Sequence, residues 1–89
     1  MWNKVEHDFG RIKSGSIQTT SFTYSGSKEV QTIEPLCNCI SARLVNNILN
    51  VTWKTKPNVV REYESNKIIM IIYRDESIDD LTLKGIIEP

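Results

Sequence analysis

Residues 1–89 are predicted to form a single all-β domain, an antiparallel β-sandwich of about seven strands. Three observations point there. No stretch carries the apolar period of about 3.6 residues that marks a helix face. About seven short runs rich in β-branched and aromatic residues recur at intervals of about ten residues, separated by polar turns. The composition, 39% hydrophobic and 25% charged over 89 residues, is that of an ordinary folded domain. At this length roughly 60–65% of the unfolded chain's surface can be buried, enough for a thin but independent core.

Trp2 to Phe9 alternates loosely and runs into Gly10, which reads as a first strand ending in a turn. Ile17 to Tyr24 is β-branched and aromatic, with Phe22 and Tyr24 on one face and Ile17, Thr19, Ser21 and Thr23 on the other. Ser25-Gly26-Ser27-Lys28 then reads as a hairpin turn into a third strand, Glu29 to Ile33, and Pro35 is expected to stop regular pairing because it lacks an amide hydrogen. Ile40 to Val45 is the fourth strand. Asn46-Asn47 tolerates the left-handed backbone a tight hairpin needs, and Ile48 to Thr55 follows with Leu49, Val51 and Trp53 on its buried face. Lys56-Pro57-Asn58 breaks that strand, and Val59 to Glu64 reads as an edge segment or loop. Lys67 to Arg74 is the most apolar run, expected mid-sheet and buried on both sides. Asp75 to Asp80 reads as an acidic turn, and Leu81 to Ile87 closes the domain with Leu81, Leu83, Gly85 and Ile87 facing one way.

Eleven basic residues balance eleven acidic ones, so the net field supplies no attraction to nucleic acid or an anionic membrane. Ile68 to Tyr73 falls far short of the roughly 20 apolar residues that span a bilayer. Met1 to Glu6 shows alternation and charge where an export signal has an apolar core of about 7–15 residues, so cytoplasmic synthesis without a signal peptide is expected.

Both cysteines lie in Pro35-Leu36-Cys37-Asn38-Cys39-Ile40-Ser41, two residues apart. On a strand they share a face, where two thiolates can converge on a soft ion such as Cu(I) or act as a redox pair. Two ligands are too few for a structural zinc, and His7 is the only imidazole. In a reducing compartment free thiols packed as small apolar groups are the expectation, because a Cys-X-Cys bridge closes a very small ring. Asp8-Phe9-Gly10 has the form of the kinase metal-binding triplet without any of its companion motifs, and Asp75, Glu76, Asp79 and Asp80 lack the spacing of a calcium loop. His7 has no identifiable nucleophile beside it, so no catalytic residue and no cofactor are assigned.

Taken in order, His7-Asp8-Phe9-Gly10-Arg11-Ile12, Gly15, Phe22-Thr23-Tyr24-Ser25-Gly26, Cys37-Asn38-Cys39-Ile40-Ser41 and Leu81-Thr82-Leu83-Lys84-Gly85 form a pattern covering nearly the whole chain. It resembles an uncharacterised family of bacterial and phage immunoglobulin-like domains related to the ASH/hydin and major-sperm-protein type. The chain departs from that pattern at Asn38, where the family has glycine, and at Leu36, where it has serine. Asn38 is among the few residues able to keep a left-handed backbone there. The resemblance implies a single immunoglobulin-like sandwich acting as a non-enzymatic structural module on a larger protein assembly, such as a phage virion decoration or accessory capsid protein. No nucleic acid, membrane or small-molecule substrate is expected as partner. The alternative is a soft-metal or redox protein using Cys37 and Cys39, and a third reading is an adaptor adding an edge strand to a partner's sheet. Trp2, a large apolar side chain near the chain terminus, is the candidate partner-binding residue, expected to pack on the domain's own sheet or on a partner. The charges at Lys54, Lys56, Arg61, Glu62 and Glu64 are expected to keep the connection between the fifth and sixth strands in solvent.

Overall fold

In the computed structural model, which describes residues 1–89, seven strands and no helix form two facing sheets. They are β1 (Glu6–Lys13), β2 (Ile17–Thr23), β3 (Val30–Pro35), β4 (Ile40–Val45), β5 (Ile48–Lys54), β6 (Tyr63–Tyr73) and β7 (Ile78–Glu88). One sheet has the order β1-β7-β6-β3 and the other β2-β5-β4. Every pairing is antiparallel except that of β1 with β7. A parallel pair needs a long connection, and here the rest of the domain supplies it.

The inner faces follow the expected alternation. Leu49, Val51 and Trp53 of β5 are buried, as are Ile69, Ile71 and Tyr73 of β6 and Leu81, Leu83 and Ile87 of β7, with Trp2, Ile12, Phe22, Tyr24 and Ile40 completing the core. Asn46 and Asn47 take positive φ, 50° and 66°, and close the β4–β5 hairpin as anticipated. β6 does lie mid-sheet, between β7 and β3, but only one of its faces is buried. No further layer covers the outer side, and Ile68 stays 37% exposed there.

Other boundaries differ for identifiable reasons. β1 starts later than expected and continues through Gly10, whose φ of 71° places a bulge between Asp8 and Arg11 where the register to β7 shifts. The Gly10 amide donates to Asp8 Oδ1 at 2.8 Å, which holds the bulge shut. Ser25 to Lys28 is no hairpin, because β2 and β3 belong to different sheets and the segment carries the chain across the sandwich. Pro35 ends β3 while still opposite Ile69. The neighbouring Leu36 amide donates to Ile68 O at 2.9 Å, so the nitrogen of Pro35 faces the open side of an edge strand, where no donor is needed. β6 begins at Tyr63 and β7 at Ile78, which places Asp79 and Asp80 in a strand opposite Ile71 and Met70. The intervening turn is tighter than six acidic-rich residues suggest, with Glu76 at a φ of 71°. The long axis of 44 Å is set by β6 and β7, whose eleven residues each give about 36 Å of strand.

Trp53 is 2% exposed, with the Phe9 ring centroid 5.9 Å from its own. Trp53→Ala is expected to lower unfolding free energy by about 3–5 kcal/mol in urea titration monitored by circular dichroism, a large fraction of the roughly 5–15 kcal/mol that stabilises a domain. A loss below about 1 kcal/mol would place Trp53 outside the core.

Candidate functional site

The N-terminal segment answers the Trp2 question first. Trp2 is 5% exposed and forms an isolated antiparallel bridge with Tyr24, their ring centroids 5.0 Å apart. Its indole Nε1 donates to Tyr73 Oη at 2.8 Å, and Tyr73 Oη in turn donates to Asp79 Oδ2 at 2.6 Å. Burial and that carboxylate hold the Tyr73 phenol well above its ordinary pKa. Of the two placements expected for Trp2, on its own sheet or on a partner, the first is therefore the one found. An indole enclosed by its own domain and satisfied at nitrogen offers a partner no surface.

The cysteines lie in the turn that leaves β3 and crosses to β4 in the other sheet. The Ile40 amide donates to Cys37 O at 3.1 Å, closing a four-residue turn, and the Lys54 amide donates to Cys39 O at 2.9 Å, pinning the turn to β5. A turn brings residues i and i+2 together, and Cys37 and Cys39 are joined by a disulfide with their Cα atoms 5.2 Å apart. This overturns the expectation of free thiols. Neither cysteine is free, so the pair in this state has no thiolate to offer Cu(I), and the soft-metal candidates Cys37 and Cys39 stand only for a reduced form. His7 lies elsewhere, its ring 4.4 Å from that of Phe9. Asn38 does not adopt the left-handed backbone that an asparagine there could keep.

The disulfide is half-buried and borders a cleft of about 230 Å³ at one end of the sandwich. Trp53 and Ile87 supply apolar lining, Tyr63 and Ser65 supply hydroxyls, and Lys54, Lys56 and Lys67 supply charge with no carboxylate among the lining residues. Two of those lysines were expected only as solubilising charges near the fifth-to-sixth connection. Nothing in the order of residues relates Lys67 to Cys37, since the sheet pairing brings them together.

The second feature is the outer edge of β2. Ser16 O accepts from the Thr55 amide at 2.9 Å and the Tyr24 amide donates to Asn47 O at 2.8 Å, so even-numbered backbone groups face β5. Those of Ile17, Thr19, Ser21 and Thr23 face away. Asn3 occupies the last of these, its amide donating to Thr23 O at 2.9 Å and its Oδ1 accepting from the Thr23 amide at 2.8 Å. Ile17, Thr19 and Ser21 have no strand beside them. The other three edges are blunted: β1 by charges and its Gly10 bulge, β3 by Glu34, Pro35 and a register shift, β4 by Arg43. β2 has no charge, proline, glycine or bulge. The uncharged run Ile17 to Thr23 was the available signal, but only the strand order shows that it lies at an edge.

Comparison with protein-family models, with curated proteins and with solved structures gave no match.

Beside this edge, Lys4 Nζ lies 2.9 Å from His7 Nδ1 and 5.2 Å from the centroid of the Phe22 ring. Burial, and next the Lys4 charge, lower the pKa of His7, with Asp8 opposing them. A folded-state pKa below the unfolded one means that neutral His7 contributes stability in full above about pH 6.5, lost as pH falls through the folded value. Proton NMR titration is expected to place the His7 midpoint below that of an unfolded peptide. Urea midpoints for the wild type should fall more steeply between about pH 7 and 5 than those of His7→Gln. A His7 midpoint at or above the peptide value would contradict this environment.

Proposed function

We propose that this domain is a non-enzymatic, immunoglobulin-like interaction module that joins a larger protein assembly by accepting an extended partner segment along β2. The observation that carries the reading is the uncharged open edge at Ile17, Thr19 and Ser21, where backbone donors and acceptors stand ready for strand addition. The grouping of β2-β5-β4 against β7-β6-β3 supports the immunoglobulin-like description, since it follows the B-E-D and G-F-C arrangement of those sandwiches. The resemblance to bacterial and phage domains of this type supports a virion component, a decoration or accessory capsid protein, as the setting.

Charge favours a foreign segment over a second copy. Lys4 Nζ sits 3.3 Å from Thr20 Oγ1 at this edge, and a two-fold β2–β2 pairing would bring two such ammonium groups together. An acidic or neutral partner strand meets no such repulsion.

Native mass spectrometry of the complex from its natural source is expected to show many copies bound to a larger protein. Thr19→Lys/Ser21→Lys should release them with unchanged circular dichroism, because charge on an edge strand blocks pairing without touching the core. Recovery only as a free monomer that turns over a small molecule would defeat the proposal. A homodimer dissolved by the same changes would assign the edge to self-pairing instead.

A further inference from the structure

We propose that the Cys37–Cys39 disulfide is a thiol–disulfide exchange centre whose partner is an anionic thiol drawn to the cleft by Lys54, Lys56 and Lys67. This goes beyond the interaction reading and does not rest on it. Three observations carry it. The bridge is half-buried and borders an open cleft, so one side of it is reachable. The cleft brings three lysines and no carboxylate to the same space, which attracts an incoming anion and favours thiolate over thiol at either cysteine. The Cys39 amide donates to Cys37 Sγ at 3.3 Å, which distinguishes the two sulfurs. A hydrogen bond to sulfur stabilises the charged form, so Cys37 is the better leaving thiolate and Cys39 the site of attack.

The step balances with the thiol alone as reductant. The thiolate of the incoming molecule attacks Cys39 Sγ, the Cys37–Cys39 S–S bond breaks, and its electron pair leaves on Cys37 Sγ. A mixed disulfide now joins the incoming sulfur to Cys39. A second equivalent of thiolate attacks the incoming sulfur of that mixed disulfide, releasing a small-molecule or peptide disulfide and the Cys39 thiolate. The two protons lost by the incoming thiols equal those that the two cysteine thiolates can take up. The domain gains two electrons, and the two thiols are oxidised to a disulfide. In reverse, Cys37 is the nucleophile that resolves a mixed disulfide on Cys39.

A purely structural bridge is the competing explanation, and the sequence separation of two weakens it. The stabilisation expected from closing a loop in the unfolded chain grows with loop length, and this loop is close to the shortest that can form. The turn is in any case pinned to β5 by the Lys54 amide and closed by the Ile40 amide without help from sulfur.

The test uses the oxidised 89-residue chain under native, low-salt conditions, with acid quenching, alkylation and intact mass as readout. Reduction by glutathione, an anionic thiol, is expected to be about tenfold faster than by the cationic thiol cysteamine at equal thiolate concentration. A cysteine peptide flanked by aspartates run beside it assigns the source of the thiol: the faster of the two anionic thiols is the favoured class, and both must exceed cysteamine. Lys54→Ala/Lys56→Ala/Lys67→Ala, or salt near 0.5 M, should bring glutathione and cysteamine within about twofold of one another. With oxidised glutathione, Cys37→Ser should accumulate the mixed disulfide on Cys39, whereas the reduced wild type should resolve it to the intramolecular bridge. A bridge that resists millimolar glutathione until the protein is unfolded would overturn the proposal, and so would equal rates for the anionic and cationic thiols in the wild type.

Discussion

The interior of this protein depends on a single geometric constraint, that alternate residues of β5, β6 and β7 face the same gap between two sheets. Leu49, Val51 and Trp53 descend from one sheet, and Ile69, Ile71, Tyr73, Leu81, Leu83 and Ile87 rise from the other, none more than 2% exposed. Because the side-chain period of a strand is two, a slip of one residue in any of these pairings would turn an entire apolar row to solvent. Gly85 is the exception that fits the rule. Its position faces inward, but a Cβ there would collide with the end of Ile12, so the missing side chain is the space into which β1 packs.

With the register set by that core, the sheet edges become the variable part of the design. Each sheet has two, and three of the four carry a charge, a proline or a bulge that discourages further pairing. The N-terminal residues protect the fourth only at one end, where Asn3 satisfies Thr23 and Trp2 is drawn under the sheet by Tyr24 and Tyr73. A domain of 89 residues that buries its N-terminal tryptophan yet leaves the outward backbone groups of Ile17, Thr19 and Ser21 unpaired has one uncharged open edge. That asymmetry connects the packing to the proposed role.

The crossing from β3 to β4 shows how a local turn acquires chemistry from distant residues. Sulfur atoms two positions apart meet because the chain must reverse between sheets there, and the turn is docked on β5 by the Lys54 amide. β5 and the connection after it bring Lys54 and Lys56, and β6 of the other sheet brings Lys67, to the same cleft. The electrostatic character of the bridge thus belongs to the sandwich as a whole.

By itself the sequence determined the elements whose signal is local. The alternation in Leu49-Asn50-Val51-Thr52-Trp53 and Leu81-Thr82-Leu83 declared buried faces, Asn46-Asn47 declared a hairpin, and the absence of helical period declared an all-β domain; all three are properties of neighbouring residues. Tertiary structure decided whatever required knowing which strand lies beside which. Gly10 became a bulge instead of a turn because β7 continued to pair beyond it, and Ser25 to Lys28 became a crossing because β2 and β3 had separate partners. Trp2 became core because Tyr73 stood 71 residues away to receive its indole hydrogen. Cys37 and Cys39 became a bridge beside three lysines, and Ile17 to Ser21 became an open edge, for the same reason: long-range pairing sets surroundings that no window of adjacent residues contains.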